Sequence, residues 1–121
     1  MKEIKAYIRE LKAEDVIHAL EEAGVPGVTA IEVKRTGPDI APEKARYSID
    51  YGEKICPITK IEIVCRDGDV VRLVDVIQKT AYTGHRGDGA IFVSNIEHAV
   101  KIRTGEWGEG ALLPGPQGEQ G

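Results

Sequence analysis

Two stretches of this chain carry the same apolar pattern 57 residues apart. Ile4 and Ile8 correspond to Ile61 and Cys65, and Val16, Ile17 and Leu20 to Leu73, Val74 and Ile77. Each stretch opens with alternation, the period of a half-buried strand. In the first, Ile4, Ala6 and Ile8 alternate with Glu3, Lys5, Tyr7 and Arg9. In the second, Ile61, Ile63 and Cys65 alternate with Lys60, Glu62 and Val64. Each then changes to the spacing of an amphipathic helix, over 12–23 and 70–81, and closes on a β-branched segment, 28–34 and 91–94. Glu14 and Asp15 sit in the first turn of the first helix, where the dipole favours them, and Gly24 with Pro26 ends it. Asp69 stands at the N-cap position of the second. Strand–helix–strand twice over is βαββαβ. The predicted class is α+β, ferredoxin-like, a four-stranded antiparallel sheet with both helices on one face. The other face would carry Tyr7, Ile58 and Val64, and burying these requires self-association.

At 121 residues the chain is about one domain. A net charge of -4 argues against a nucleic-acid partner, which wants a basic face. Phe92 is the lone Phe, so the sheet also lacks an aromatic platform for RNA bases. No run approaches the roughly 20 apolar residues of a membrane span, and the opening Met1-Lys2-Glu3 leads into a strand with no signal peptide. Cys56 and Cys65 have neither metal nor redox spacing. They read as reduced thiols, Cys65 as a small apolar filler, and the expected location is the cytoplasm. His18 lies on the polar side of its helix and reads as solvated.

Three stretches depart from the repeat. Residues 35–57 hold Pro38, Pro42, Pro57, Gly37 and Gly52 with little periodicity. A segment of that length inside a small domain is functional or mobile, and it reads as one long excursion with a short hairpin around 46–51. Residues 83–89, TGHRGDG, pack three glycines with His85, Arg86 and Asp88. Such a bend can turn successive N–H groups inward around an anion. The run 100–106, VKIRTGE, places Lys101 and Arg103 on one face of an expected final strand near 98–103. A donor loop followed by two cations suggests a polyphosphate site; a tight turn before an edge strand is the plainer alternative. From 104 onward nearly half the positions are Gly or Pro, and the tail is expected to be loose.

Several blocks resemble the P-II signal-transduction family: MKEIKAYI at the start, GVPGVTAIEVK at 24–34, KIEIV at 60–64, TGHRGDGAIFV at 83–93 and VKIRTGE at 100–106. The resemblance implies a homotrimer of ferredoxin-like subunits, residues 1–106, with 107–121 as a flexible tail. It implies clefts between subunits that bind ATP, ADP or AMP, with the place of Mg²⁺ left open. Carried over by position, Thr29, Gly37, Glu62 and Val64 would contact the adenosine part, and Tyr7 and Gly27 would also belong to the nucleotide site. Thr83, Gly84, His85, Arg86, Gly87, Asp88 and Gly89 would form the phosphate loop, with Lys101 and Arg103 neutralising charge. The excursion 35–57 would be the T-loop that docks on a target transporter, enzyme or regulator, with Arg46, Tyr47 and Tyr51 as contacts. Tyr51 also falls where some members are modified, although a plain exposed tyrosine fits its neighbours better.

Four positions depart from the family pattern. Ala90 and Ile58 replace basic residues, Arg35 a glycine and Asp39 a glutamine. These changes should weaken 2-oxoglutarate sensing and spare nucleotide sensing. The implied function is a nucleotide-binding regulator without catalytic residues, acting in nitrogen metabolism. A regulator of carbon or bicarbonate metabolism sensing ADP or AMP is the alternative. A weak ATPase has Asp88, Glu62 and His85 to draw on but no Walker motif. A metal-responsive trimer has only Cys56, Cys65, His85 and His98 as soft ligands. The tail lacks the cysteines that would give it a redox role.

Overall fold

The structure, a computed structural model, describes residues 1–113. Its elements are β1 (Lys2–Ile8), α1 (Ala13–Glu22), β2 (Thr29–Arg35), β3 (Arg46–Ser48), β4 (Glu53–Cys65), α2 (Val70–Ala81) and β5 (Ala90–Asn95). The main sheet runs β2-β4-β1-β5 with antiparallel neighbours. This is the interleaved order of two strand–helix–strand units, β1-α1-β2 and β4-α2-β5. The short β3 lies off this path and pairs with the start of β4, from Arg46↔Ile55 to Ser48↔Glu53.

The repeat works because its apolar positions meet across the sheet. Ile4 faces Ile63 and Ala6 faces Ile61 in the β1–β4 register, and on the other side of β1 they face Val93 and Ile91. Val16 and Leu20 from α1 and Leu73, Ile77 and Ala81 from α2 close over the same side of the sheet. Cys65 fills a place in this core, and burial raises its thiol pKa. Arg72 ties the helices by donating to the carbonyl of Ala23, 2.7 Å away. Gly24 ends α1 at φ +92°, a conformation that favours glycine. Asp69 occupies the N-cap of α2 without capping it; its carboxylate pairs instead with Arg66 at 3.6 Å and Arg72 at 3.4 Å.

The structure differs from the sequence expectation in four places. First, β4 begins at Glu53, well before Ile58. Pro57, which lacks an N–H, falls in the short gap between the β3 pairing, which ends at Ile55, and the β1 pairing, which begins at Thr59. Second, residues 98–103 form no sheet strand. Val100 makes an isolated bridge to Trp107, and residues 101–105 turn, closed by Gly105 N–H to Lys101 O at 2.7 Å and Lys101 N–H to Glu106 O at 2.8 Å. Ile102 consequently stands 98% exposed, and Lys101 and Arg103 do not share a strand face.

Third, the open face of the sheet is partly covered by the chain itself. Ala41 folds back onto Cys56 and Ile58 as a second small core, with Tyr7, Val33 and Ile40 around it. Ile58 is therefore buried without a second copy. Fourth, the tail expected to be loose begins with a 3-10 turn at Gly108–Leu112. The remaining tail residues, 114–121, and the question of their redox role lie outside the described residues.

The two cores differ in weight. Ile77→Ala empties a fully buried site in the main core and is expected to cost about 2–5 kcal/mol. Val33→Ala, at the margin of the small one, should cost under about 1 kcal/mol. Urea denaturation of both variants checks this, and equal costs would contradict the placement of the main core between sheet and helices.

Candidate functional site

Residues 83–89 run from the end of α2 into β5, and their shape is set by one carboxylate. Asp88 accepts hydrogen bonds from the amides of Thr83 and Gly84, both at 2.8 Å, from the Thr83 hydroxyl, and from Arg9 Nε at 2.9 Å. Burial alone would raise its pKa. The Thr83 hydroxyl and amide, Arg9 and the Gly84 amide outweigh that and hold the carboxyl well below the usual carboxylate range. The acid is thus consumed inside the loop. Residues 86–87 form a turn, and the amides of Arg86, Gly87 and Gly89 donate no hydrogen bond among the described residues. Gly87 and Gly89 are at φ +102° and +98°. A Cβ on Gly87 would come within 2.6 Å of the Ala41 Cβ, and one on Gly89 would run into the carbonyl oxygen of Tyr7. Both positions need glycine for conformation and for space.

Beside the loop lies a cavity of about 250 Å³. Tyr7, Ile40, Ala41, Cys56, Ile58 and Phe92 line it, and Tyr7 meets Phe92 edge-on at 6.0 Å. Arg35, Asp39 and the loop residues from His85 to Ala90 complete its wall. Arg35 and Asp39 pair with each other at 2.8 Å, which lowers the Asp39 pKa and raises that of Arg35. Arg9 reaches three ways: to Asp88, to Glu43 at 2.8 Å and to the Arg86 carbonyl at 2.8 Å. Its bonds with Asp88 and then Glu43 raise its pKa.

A second recess, about 420 Å³, opens towards the other end of the same sheet face. It gathers Gly27, Thr29, Glu62 and Val64, with Glu3 and Leu112. Thr29 is directly opposite Glu62 across β2 and β4, and Glu62 pairs with Lys60 at 3.4 Å. Lys101 does not line this recess, but its ammonium donates to the carbonyl of Leu113, next to Leu112, at 2.9 Å. The sequence-assigned residues therefore separate into two sets. Tyr7, His85, Arg86, Gly87, Asp88 and Gly89 meet at the loop cavity, while Thr83 and Gly84 brace it from behind. Gly27, Thr29, Glu62 and Val64 meet at the second recess. Gly37 lies with neither; it borders a shallow depression that includes Arg86 and Lys54. Arg103 sits exposed on the 101–105 turn. On the arm, Arg46, Tyr47 and Tyr51 are exposed, and Lys34 stands over the Tyr51 ring at 5.7 Å.

Two contributors escaped the sequence analysis. Arg9 reads there as one more polar residue in an alternating strand, and nothing local tells that it spans to residues 34 and 79 positions away. Leu112 lay in a stretch dismissed for its glycine and proline content; its pairing with Leu113 was the available signal.

The fold is a ferredoxin-like α+β domain with two recesses and a long arm. The chain belongs to the nitrogen regulatory protein P-II family, whose sequence model matches residues 1–106. It is 46% identical over 112 residues to nitrogen regulatory protein P-II 2 of Methanothermobacter thermautotrophicus, covering 93% of this chain and 97% of that protein. It is 44% identical to nitrogen regulatory protein P-II of Bradyrhizobium diazoefficiens and 37% identical to nitrogen regulatory protein GlnK of Escherichia coli. Each of those alignments covers 93% of this chain and 100% of the relative. The family is one of signal-transduction regulators in nitrogen metabolism. Among the described residues, no helix is long and apolar enough to cross a membrane.

The Asp88 network has a pH signature. Its pKa is lower folded than unfolded, so its contribution to stability is complete above the unfolded value, about 4, and is lost as pH falls below that. Between pH 5 and pH 2 the wild type should lose more thermal stability than Asp88→Asn, whose side chain does not titrate. Parallel melting curves across that range would contradict the network.

Proposed function

We propose that the chain is a regulator, without catalysis of its own, that binds an adenine nucleotide between identical subunits and controls a target protein through its arm. The observation that carries this is that most of the assigned residues fall into one or other of two recesses with no lining residue in common. One offers loop amides suited to phosphate, and the other a mixed recess in which Val64 and Leu112 lie beside the Thr29 hydroxyl and the carboxylates of Glu3 and Glu62, suited to a nucleoside. A site built from both is completed when one subunit's loop meets the next subunit's recess, as in a closed ring of three. Successive amides in a glycine bend form an anion-binding concavity, and Lys101 and Arg103 supply the balancing charge.

The same reading bears on which effector is sensed. Arg35 and Asp39, two of the departures from the family pattern, neutralise one another, and Ile58 lies in the small core where the family has a lysine. A dicarboxylate would find no free cation at those three positions. We therefore favour ATP, ADP or AMP over 2-oxoglutarate, a cytoplasmic location, and nitrogen metabolism as the pathway. The exposed tyrosines and Arg46 on the arm suit a protein partner, since aromatic and arginine side chains dominate binding hot spots.

The test is calorimetry with ATP, ADP and AMP, on protein whose trimeric mass is confirmed by light scattering. Gly87→Ala should weaken ADP at least tenfold, because the added methyl must displace Ala41 or distort the loop. A chain lacking residues 39–52 should keep nucleotide binding and lose target binding. Absence of binding heat from a folded trimer would end the proposal.

A further inference from the structure

The Gly108–Leu112 turn follows a compact chain reversal. The Gly108 amide donates to the Ala99 carbonyl at 2.9 Å, and Trp107 bridges Val100 and packs edge-on to His98 at 5.7 Å. Gly108 takes φ +85°, and a Cβ at Gly110 would collide with the Glu106 carboxylate. These contacts bring the chain back across the sheet's open face, so that Leu112 lines the recess of Thr29, Glu62 and Val64. The turn is pinned at its far end, where the Leu113 carbonyl accepts from Lys101.

We propose that Leu112 is the apolar wall against which the base of the nucleotide lies, a specificity-determining residue that the domain's last turn delivers. This rests on the adenine-nucleotide reading given above. A heteroaromatic base has two apolar faces and a polar edge. The recess has matching parts: Val64 and Leu112 for a face, and the Thr29 hydroxyl with the Glu3 and Glu62 carboxylates for the edge. Leu112 lines this space without filling it, for about 420 Å³ remains open beside it, within the range of small-molecule sites. Leu112 is only half-buried without a ligand, so a base seated there would cover further apolar surface and gain the corresponding free energy. The Lys101–Leu113 bond gives the arrangement a second property. The cation assigned to phosphate and the wall assigned to the base are carried on one hydrogen-bonded unit, so a ligand carrying both groups is held by both.

The experiment compares ADP, ATP and inorganic tripolyphosphate on the full chain, for the wild type, Leu112→Ser and Leu112→Met. Leu112→Ser should weaken ADP and ATP by about fivefold, the factor set by losing roughly half a leucine's apolar contact, and leave tripolyphosphate within about twofold. Leu112→Met, which keeps the apolar surface, should restore the nucleotides to within about twofold. Unchanged ADP affinity in Leu112→Ser, or an equal loss for tripolyphosphate, overturns the wall and leaves the regulator reading standing. A folded wild-type trimer that binds neither nucleotide overturns both.

Discussion

The candidate site depends on a carboxylate that faces inward. Asp88 is an anion in the middle of a loop whose outer amides are suited to anions, an arrangement that would repel a phosphate if the charge were exposed. Its four donors remove that conflict. The charge is balanced by Arg9 and by the amides of Thr83 and Gly84, and the loop closes on itself through these bonds. Charge-assisted bonds are stronger than neutral ones, and with its side chain 23% exposed this carboxylate is only partly screened by water. The bend is thus stabilised without using the amides of Arg86, Gly87 and Gly89.

Arg9 extends that network to the arm. Its third branch reaches Glu43, while Ala41, two residues earlier, rests against Gly87. The base of the arm is consequently built on the loop and on the small core of Ala41, Cys56 and Ile58. Arg35 and Asp39 belong to the same region and satisfy each other. Taken singly, each adds a charge where the expected family pattern is neutral. Together they form a salt bridge of zero net charge, and the substitution at position 58 fills a hydrophobic gap. The three changes are coherent as a group in a way that no one of them is alone.

The fold was legible because its evidence is periodic. Alternation at Ile4, Ala6 and Ile8 and helical spacing at Val16, Leu20, Leu73 and Ile77 arise from the same burial that places these residues in one core. What lacked a period was not legible. Ile40 and Ala41 cover the sheet from inside a proline-interrupted excursion, so the second core gave no pattern to read. The alternation at 100–103 is present in the sequence, yet the chain turns at Gly105 and pairs with Trp107 instead of adding to the sheet. Strand propensity there was real and tertiary context overrode it. Glycine content in the tail pointed to looseness, but Gly108 and Gly110 are what permit the tight turn.

The geometry also decides which contacts could carry a signal between a nucleotide and the arm. Glu43 stands in solvent, so its pairing with Arg9 is screened and holds the arm weakly. The contact of Gly87 with Ala41 is different in kind, since it is close-packed and admits no intermediate spacing. On the proposed reading, a ligand that shifts Gly87 by even a fraction of an ångström must either move Ala41 or be resisted by the small core beneath it. Linkage then requires the converse: a partner that pulls the arm away from Gly87 alters nucleotide affinity by the same factor. Couplings of this sort typically amount to about 1–3 kcal/mol. That is comparable to the burial energy of one aliphatic side chain, and Ile58 beneath Ala41 is a side chain of that size.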